Sequence, residues 1–209
     1  CVGNEPGFAL ESVENGERWS RFSFIGRRAP ATLVCRGRNV ELRGHLPDTD
    51  LPLDRGILAA VETLLERYRS PRLPDLPPLT AGLVGYLGYD VVREVERLPS
   101  VPADSHGYPD AVLDVIGELA VFDHWRQRVT LVATAMLPAD ADQATIDQAY
   151  DDGIRRLDQL TADGARPVDE PLMEPPADLD LPDVHESLSG DMYQRAVEAA
   201  KEYIRAGDI

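Results

Sequence analysis

Two alternating runs on either side of Asn15-Gly16 constrain this chain more than any other feature. In GFALESVENGERWSRFSFIG (residues 7–26), Phe8, Leu10 and Ser12 fall on one side of an extended strand, and Ala9, Glu11 and Val13 on the other. Trp19, Arg21, Ser23 and Ile25 then alternate with Ser20, Phe22, Phe24 and Gly26. Asn-Gly is the dipeptide that best tolerates positive φ at both central positions of a two-residue hairpin turn. Strands joined that tightly pair antiparallel.

Further along, residues 31–36 and 39–43 read as a second strand pair about Gly37-Arg38. Ile57, Val61, Leu64 and Leu65 recur at helical spacing, with Asp54 as the expected N-cap. Pro71, Pro74, Pro77 and Pro78 exclude regular helix or central strand after it. TAGLVGYLGYD (80–90) reads as a buried strand, since Leu83, Val84, Tyr86 and Leu87 form an almost unbroken apolar run. Gly82, Gly85 and Gly88 recur at every third position. That spacing fits neither a dinucleotide fingerprint nor a P-loop, so the glycines are read as places where another backbone comes close. A short helix is expected over 91–97. Residues 111–125 and 128–136 read as a long strand pair joined at Trp125-Arg126-Gln127.

Residues 140–161 carry an apolar helical stripe of Ile146, Ala149, Tyr150, Ile154, Leu157 and Leu160. Periodicity then stops. Pro167, Pro171, Pro175, Pro176 and Pro182 lie among acidic residues and mark a solvated linker. A last helix follows, capped by Ser189 and stopped by Gly207, with Tyr193, Ala196, Val197, Ala200, Tyr203 and Ile204 in register. The expected fold class is α+β: layered antiparallel sheets with helices packed outside them.

Composition narrows the function classes. A formal charge of −16 over 209 residues argues against nucleic acid and against anionic membrane surfaces. No apolar run reaches the roughly 18–20 residues of a membrane span, and no secretory signal opens the chain. The first residue is Cys1, so a missing N-terminus is expected. Cys1 and Cys35 set no framework; Cys35 lies in an apolar strand and reads as a small buried hydrophobe, though a disulfide stays open. A cytoplasmic location is the default. His45, His106, His124 and His185 lack ligand spacing, so a metal site in this chain is not expected. His124 has the intrinsic pKa of a general base, but no nucleophile or orienting acid accompanies it, and it reads as a hairpin-end residue.

The segment LESVENGERWSRFSFIG (10–26) resembles the signature near the start of anthranilate synthase component I, the large subunit. That family has a Leu-Leu-Glu-Ser strand, a short turn and a strand ending near Phe-Ile-Gly. Ala9 replaces the first Leu here. GYLGYD (85–90) and FDHWRQRVTLVA (122–133) resemble the same family. The resemblance covers nearly the whole chain but only about half of the family's subunit. It implies a regulatory, tryptophan-sensing domain over 1–162, an acidic linker over 163–188, and over 189–209 the first helix of a truncated chorismate-binding domain.

The resemblance also implies an activity: chorismate converted to anthranilate and pyruvate with a glutamine amidotransferase subunit and Mg²⁺. The family's catalytic and Mg²⁺-binding motifs do not appear in this chain, so no catalytic or metal residue is assigned and the chain alone is expected to be inactive. Ser12 is the residue implied for the inhibitory L-tryptophan pocket, with Leu10 on its face of the strand as an apolar wall. A serine near a strand end is ordinarily just a hydroxyl bonded to nearby backbone. Two other readings stay open: the large subunit of aminodeoxychorismate synthase, and a non-catalytic amino-acid-binding regulatory module. The hairpin motif favours the first reading over the former. A final helix with nothing to pack on argues against the latter.

Overall fold

Among the described residues, eight strands form two antiparallel four-stranded sheets. The computed structural model describes residues 6–11, 21–48, 50–71, 73–101, 103–104, 106–167, 183 and 186–209. The first sheet has the order β1-β2-β7-β8, from β1 (Gly7–Leu10), β2 (Phe22–Arg27), β7 (Glu118–Asp123) and β8 (Arg128–Ala133). The second has the order β4-β3-β6-β5, from β3 (Ala31–Arg36), β4 (Asn39–Gly44), β5 (Leu83–Leu87) and β6 (Ala111–Val115). The helices are α1 (Ile57–Arg67), α2 (Gln143–Gly164) and α3 (Gly190–Ala206), with a 3-10 helix over Tyr89–Glu94. The α+β class with layered antiparallel sheets and flanking helices is the observed one.

The chain divides into two compact units, Cys1–Pro167 and Val168–Ile209. In the first, alternation along the strands sorts side chains into layers. Leu33, Cys35, Leu113 and Val115 point from the second sheet toward Ile57, Ala60 and Leu64 of α1 and form the main core. Val84 points the other way, into a smaller cluster with Phe8, Phe24, Leu119 and Val121 of the first sheet. The far face of the first sheet meets α2, where Leu160 is buried. The order is therefore helix, sheet, sheet, helix. Cys35 is fully buried, its Sγ–H donates to the Gly37 carbonyl at 3.3 Å, and burial pushes the thiol pKa up.

Several elements differ from expectation. The β3–β4 hairpin turns at Gly37-Arg38 as read, with Arg36 opposite Asn39. The first hairpin does not keep the register of a two-residue turn at Asn15-Gly16, which would set Leu10 opposite Arg21; Leu10 faces Phe24. Asn15 and Gly16 themselves lie outside the described residues. The expected single strand over 111–125 is two strands in two sheets, because the chain crosses at Ile116-Gly117. The run around Tyr86 is a sheet edge instead of a buried strand, and Tyr86 and Leu87 are exposed. Gly85 does admit a close backbone: a Cβ there would overlap the Val112 carbonyl oxygen. The helix expected over 91–97 is the 3-10 turn that ends at Glu94.

Asp54 does not cap α1. The N-cap is Gly56, at φ 99°, a conformation that favours glycine. The Glu94 carboxylate accepts hydrogen bonds from the first-turn amides of Ile57 (2.8 Å) and Leu58 (3.0 Å) instead. A carboxylate there also meets the positive end of the helix dipole. Helix α2 begins with Asp142 accepting from Thr145 N–H. Its apolar stripe is only partly covered, since Ile146, Tyr150 and Ile154 are exposed. In the second unit, α3 starts at Ser189, whose hydroxyl accepts from Met192 N–H, and ends at Gly207 in the left-handed conformation, as read from the sequence.

Candidate functional site

Leu10 closes β1 on the face that also carries Phe24 and Val121. It is 43% exposed. The next strand over places Thr130 in the same row. Phe8 lies one pleat back, opposite Gly26, where a Cβ would collide with its ring. This face of the first sheet is thus apolar, aromatic and open at the Leu10 end. Ser12 lies outside the described residues, so its side chain is not located.

The segment that carries Ser12 rejoins the sheet at a polar lock. Arg21 donates to both oxygens of Asp123, Nε to Oδ1 at 3.0 Å and Nη2 to Oδ2 at 2.6 Å. Its guanidinium lies 4.6 Å from the Phe22 ring centroid and 5.2 Å from that of Trp125. A planar guanidinium suits both tasks, gripping a carboxylate in a fork and stacking on rings. The Arg126 amide adds a 3.2 Å bond to Asp123 Oδ1. His124 follows in the turn, its Nε2 2.8 Å from Ser23 Oγ. That contact fixes the turn and brings no acid toward the imidazole.

The Arg21 hydrogen bonds hold the Asp123 carboxyl at a pKa of about 2, against 3.8 ordinarily. A carboxylate with a depressed folded-state pKa stabilises the fold above its unfolded value and loses that contribution as pH falls through the folded one. The lock is therefore expected to stay closed at pH 4 and to open as pH falls toward about 2. Carboxyl-carbon NMR titration should give Asp123 an inflection near pH 2; one at the usual carboxylate value would show that the fork is not formed in solution.

A second polar cluster sits at the other end of β2, on the face turned away from Phe24. Arg27 Nε donates to Glu118 Oε2 at 2.8 Å, and Arg27 Nη1 pairs with Asp163 Oδ2 of α2 at 2.7 Å. Arg28 and Arg166 flank the two carboxylates at 3.6 and 3.3 Å. Among the described residues no three His, Cys, Asp or Glu side chains are grouped so as to hold a metal ion. No described helix is long and apolar enough to cross a membrane.

A family model described as chorismate binding enzyme matches residues 14–209. The chain belongs to the chorismate-binding enzyme family. Within it, anthranilate synthase component 1 of Arthrobacter globiformis is 35% identical over 208 residues, covering 98% of this chain and 39% of that protein. The protein of the same name from Mycolicibacterium smegmatis is 39% identical over 168 residues, covering 80% of this chain and 32% of that protein. The crystal structure of anthranilate synthase component I from Streptococcus pneumoniae TIGR4 aligns with a TM-score of 0.58 at 23% identity, over 94% of this chain and 41% of that one. At that identity the last likeness shows the fold. The chain spans between about a third and two fifths of the length of these relatives.

For this member of the chorismate-binding family, alternation along the strand set the face that Leu10 occupies, and sequence reasoning missed both locks. Arg21 and Asp123 are 102 residues apart, and Arg27 and Glu118 are 91 apart. The only local sign was charge inside otherwise apolar strands, Arg27 after Phe-Ile-Gly and Glu118 before Leu-Ala-Val. Charges placed there need partners.

Proposed function

We propose that this chain is the tryptophan-sensing part of an anthranilate synthase large subunit. With a glutamine amidotransferase subunit, that enzyme converts chorismate to anthranilate and pyruvate in the cytoplasm. The observation that carries the reading is the reach of the match: the family model spans 14–209, and a relative bearing that name aligns over 98% of the chain. Residues 1–162 would sense tryptophan, 163–188 would link, and 189–209 would open the chorismate-converting region.

The inhibitor offers an indole, an ammonium and a carboxylate, so its pocket needs apolar walls and a few polar groups for the charged end. Leu10, exposed beside Phe24, supplies an apolar wall at one end of the sheet face. Ser12 is two residues further along the strand direction, and its hydroxyl would donate to the carboxylate or accept from the ammonium. An inhibitor that binds one conformational state better shifts the population away from the active one. Mg²⁺ would hold the carboxylates of chorismate. The described residues do not fit it, and its ligands are assigned to other parts of the enzyme.

The test uses the full-length enzyme with chorismate and ammonia, followed by anthranilate fluorescence. Anthranilate formation that tryptophan suppresses is expected; release of an aminodeoxychorismate product instead would overturn the assignment. A charge-assisted hydrogen bond is worth roughly 1.5–3 kcal/mol. Ser12→Phe should therefore raise the tryptophan needed for half-inhibition about ten- to a hundredfold, with uninhibited turnover unchanged. Unaltered inhibition would remove Ser12 from the pocket.

A further inference from the structure

Helix α1 buries Ile57, Ala60 and Leu64 in the main core and leaves one flank open. Along that flank runs a hollow of about 910 Å³. Its apolar floor is Leu58, Val61 and Leu65 of α1 with Val95 just past the 3-10 helix; Leu65 is 50% and Val95 70% exposed. Charged side chains rim it in two groups. Arg38, Asp54 and Arg55 stand at the N-terminal end of α1, and Glu62, Glu66 and Arg69 toward its C-terminal end. Among the described residues, none of these charged groups forms an ion pair or a side-chain hydrogen bond. Glu94, also at the N-terminal end, is taken up by the amides of Ile57 and Leu58.

We infer that a second copy of the chain docks on this flank, α1 against α1, antiparallel about a two-fold axis. In such a contact one patch serves both partners, so it must complement itself. With the axis between Val61 and Glu62, Leu58 falls opposite the partner's Leu65, and Asp54 opposite the partner's Arg69. The same reversal brings Arg55 to the partner's Glu66, and every pair forms twice. A parallel arrangement would instead set Arg55 and Glu66 each against its own copy, which like charges oppose. Glu62 is the exception, since it lies beside the axis and meets its own copy. A seam about three turns long is smaller than a standard interface, so a dimer dissociating at micromolar concentration is expected. The flank shares no residue with the Leu10 face, so the inference does not rest on the tryptophan reading.

The test is sedimentation velocity of the full-length protein across micromolar concentrations. Salt of about 0.15 M gives a Debye length of about 8 Å and screens the repulsion between two chains of formal charge −16. A reversible monomer–dimer equilibrium is expected. Leu65→Glu should raise the dissociation constant at least about tenfold, because it puts a charge into the apolar seam. Arg55→Glu should raise it about tenfold, since each lost attraction counts twice across the axis. Adding Glu66→Arg to Arg55→Glu should restore the parent value, and Glu62→Gln should tighten the dimer. A monomer at every concentration would overturn the inference and is the result expected if another part of the subunit covers the flank. A dimer untouched by Leu65→Glu, an Arg55→Glu defect that Glu66→Arg does not repair, or a dimer weakened by Glu62→Gln would each overturn it too.

Discussion

Glu118→Ala is expected to destabilise the first unit by about 3–5 kcal/mol, the cost of removing one partner from a buried ion pair. Glu118 has no exposed side-chain surface and Arg27 very little. Without the carboxylate, Arg27 Nε joins Nη2 as a buried donor with no acceptor among the described residues, of which Asp163 remains to balance it. The double change Arg27→Met, Glu118→Leu should recover most of the stability, since replacing both charges by apolar side chains leaves nothing unpaired. Urea unfolding followed by circular dichroism gives both numbers. A loss below about 1 kcal/mol for Glu118→Ala would mean that the pair behaves as an exposed one.

The difference between what the sequence disclosed and what it hid follows the range of the interactions. The β3–β4 hairpin was legible because everything that sets it lies within 14 residues: two apolar strands and a Gly-Arg turn. Ser189 and Gly207 were legible for the same reason, since helix ends are satisfied by neighbours in sequence. The Ile116-Gly117 crossing was not, because an apolar run reads the same whether it stays in one sheet or passes between two. Nor was the α1 cap. Asp54 is near in sequence, but Gly56 at φ 99° turns the chain so that the first amides face Glu94, 37 residues on from Ile57. The candidate site shows the same division. Leu10 and its face follow from alternation, while the locks that tie the neighbouring β2 to β7 join residues 91 and 102 apart.

Replacing glycine in β5 and in α2 offers a test in which the effect changes sign with position. Gly85→Val is expected to cost about 3 kcal/mol, at the upper end for overpacking. Its Cβ would occupy the place of the Val112 carbonyl oxygen, and that atom belongs to the backbone of β6, which β3 holds from its other side. The strain must therefore be relieved by β5, the edge strand. Moving it draws Val84 out of the cluster with Phe8, Phe24 and Val121, so the damage should reach the face that carries Leu10. Gly153→Ala makes the opposite case. Gly153 lies inside α2, a Cβ there meets nothing within 4 Å, and alanine loses less backbone freedom on folding, which should stabilise by roughly 0.5–1 kcal/mol. Denaturant midpoints of the two variants should lie on opposite sides of the parent. If Gly85→Val unfolds at the parent's midpoint, β5 is not paired to β6 in solution in the register that sets Gly85 opposite Leu113.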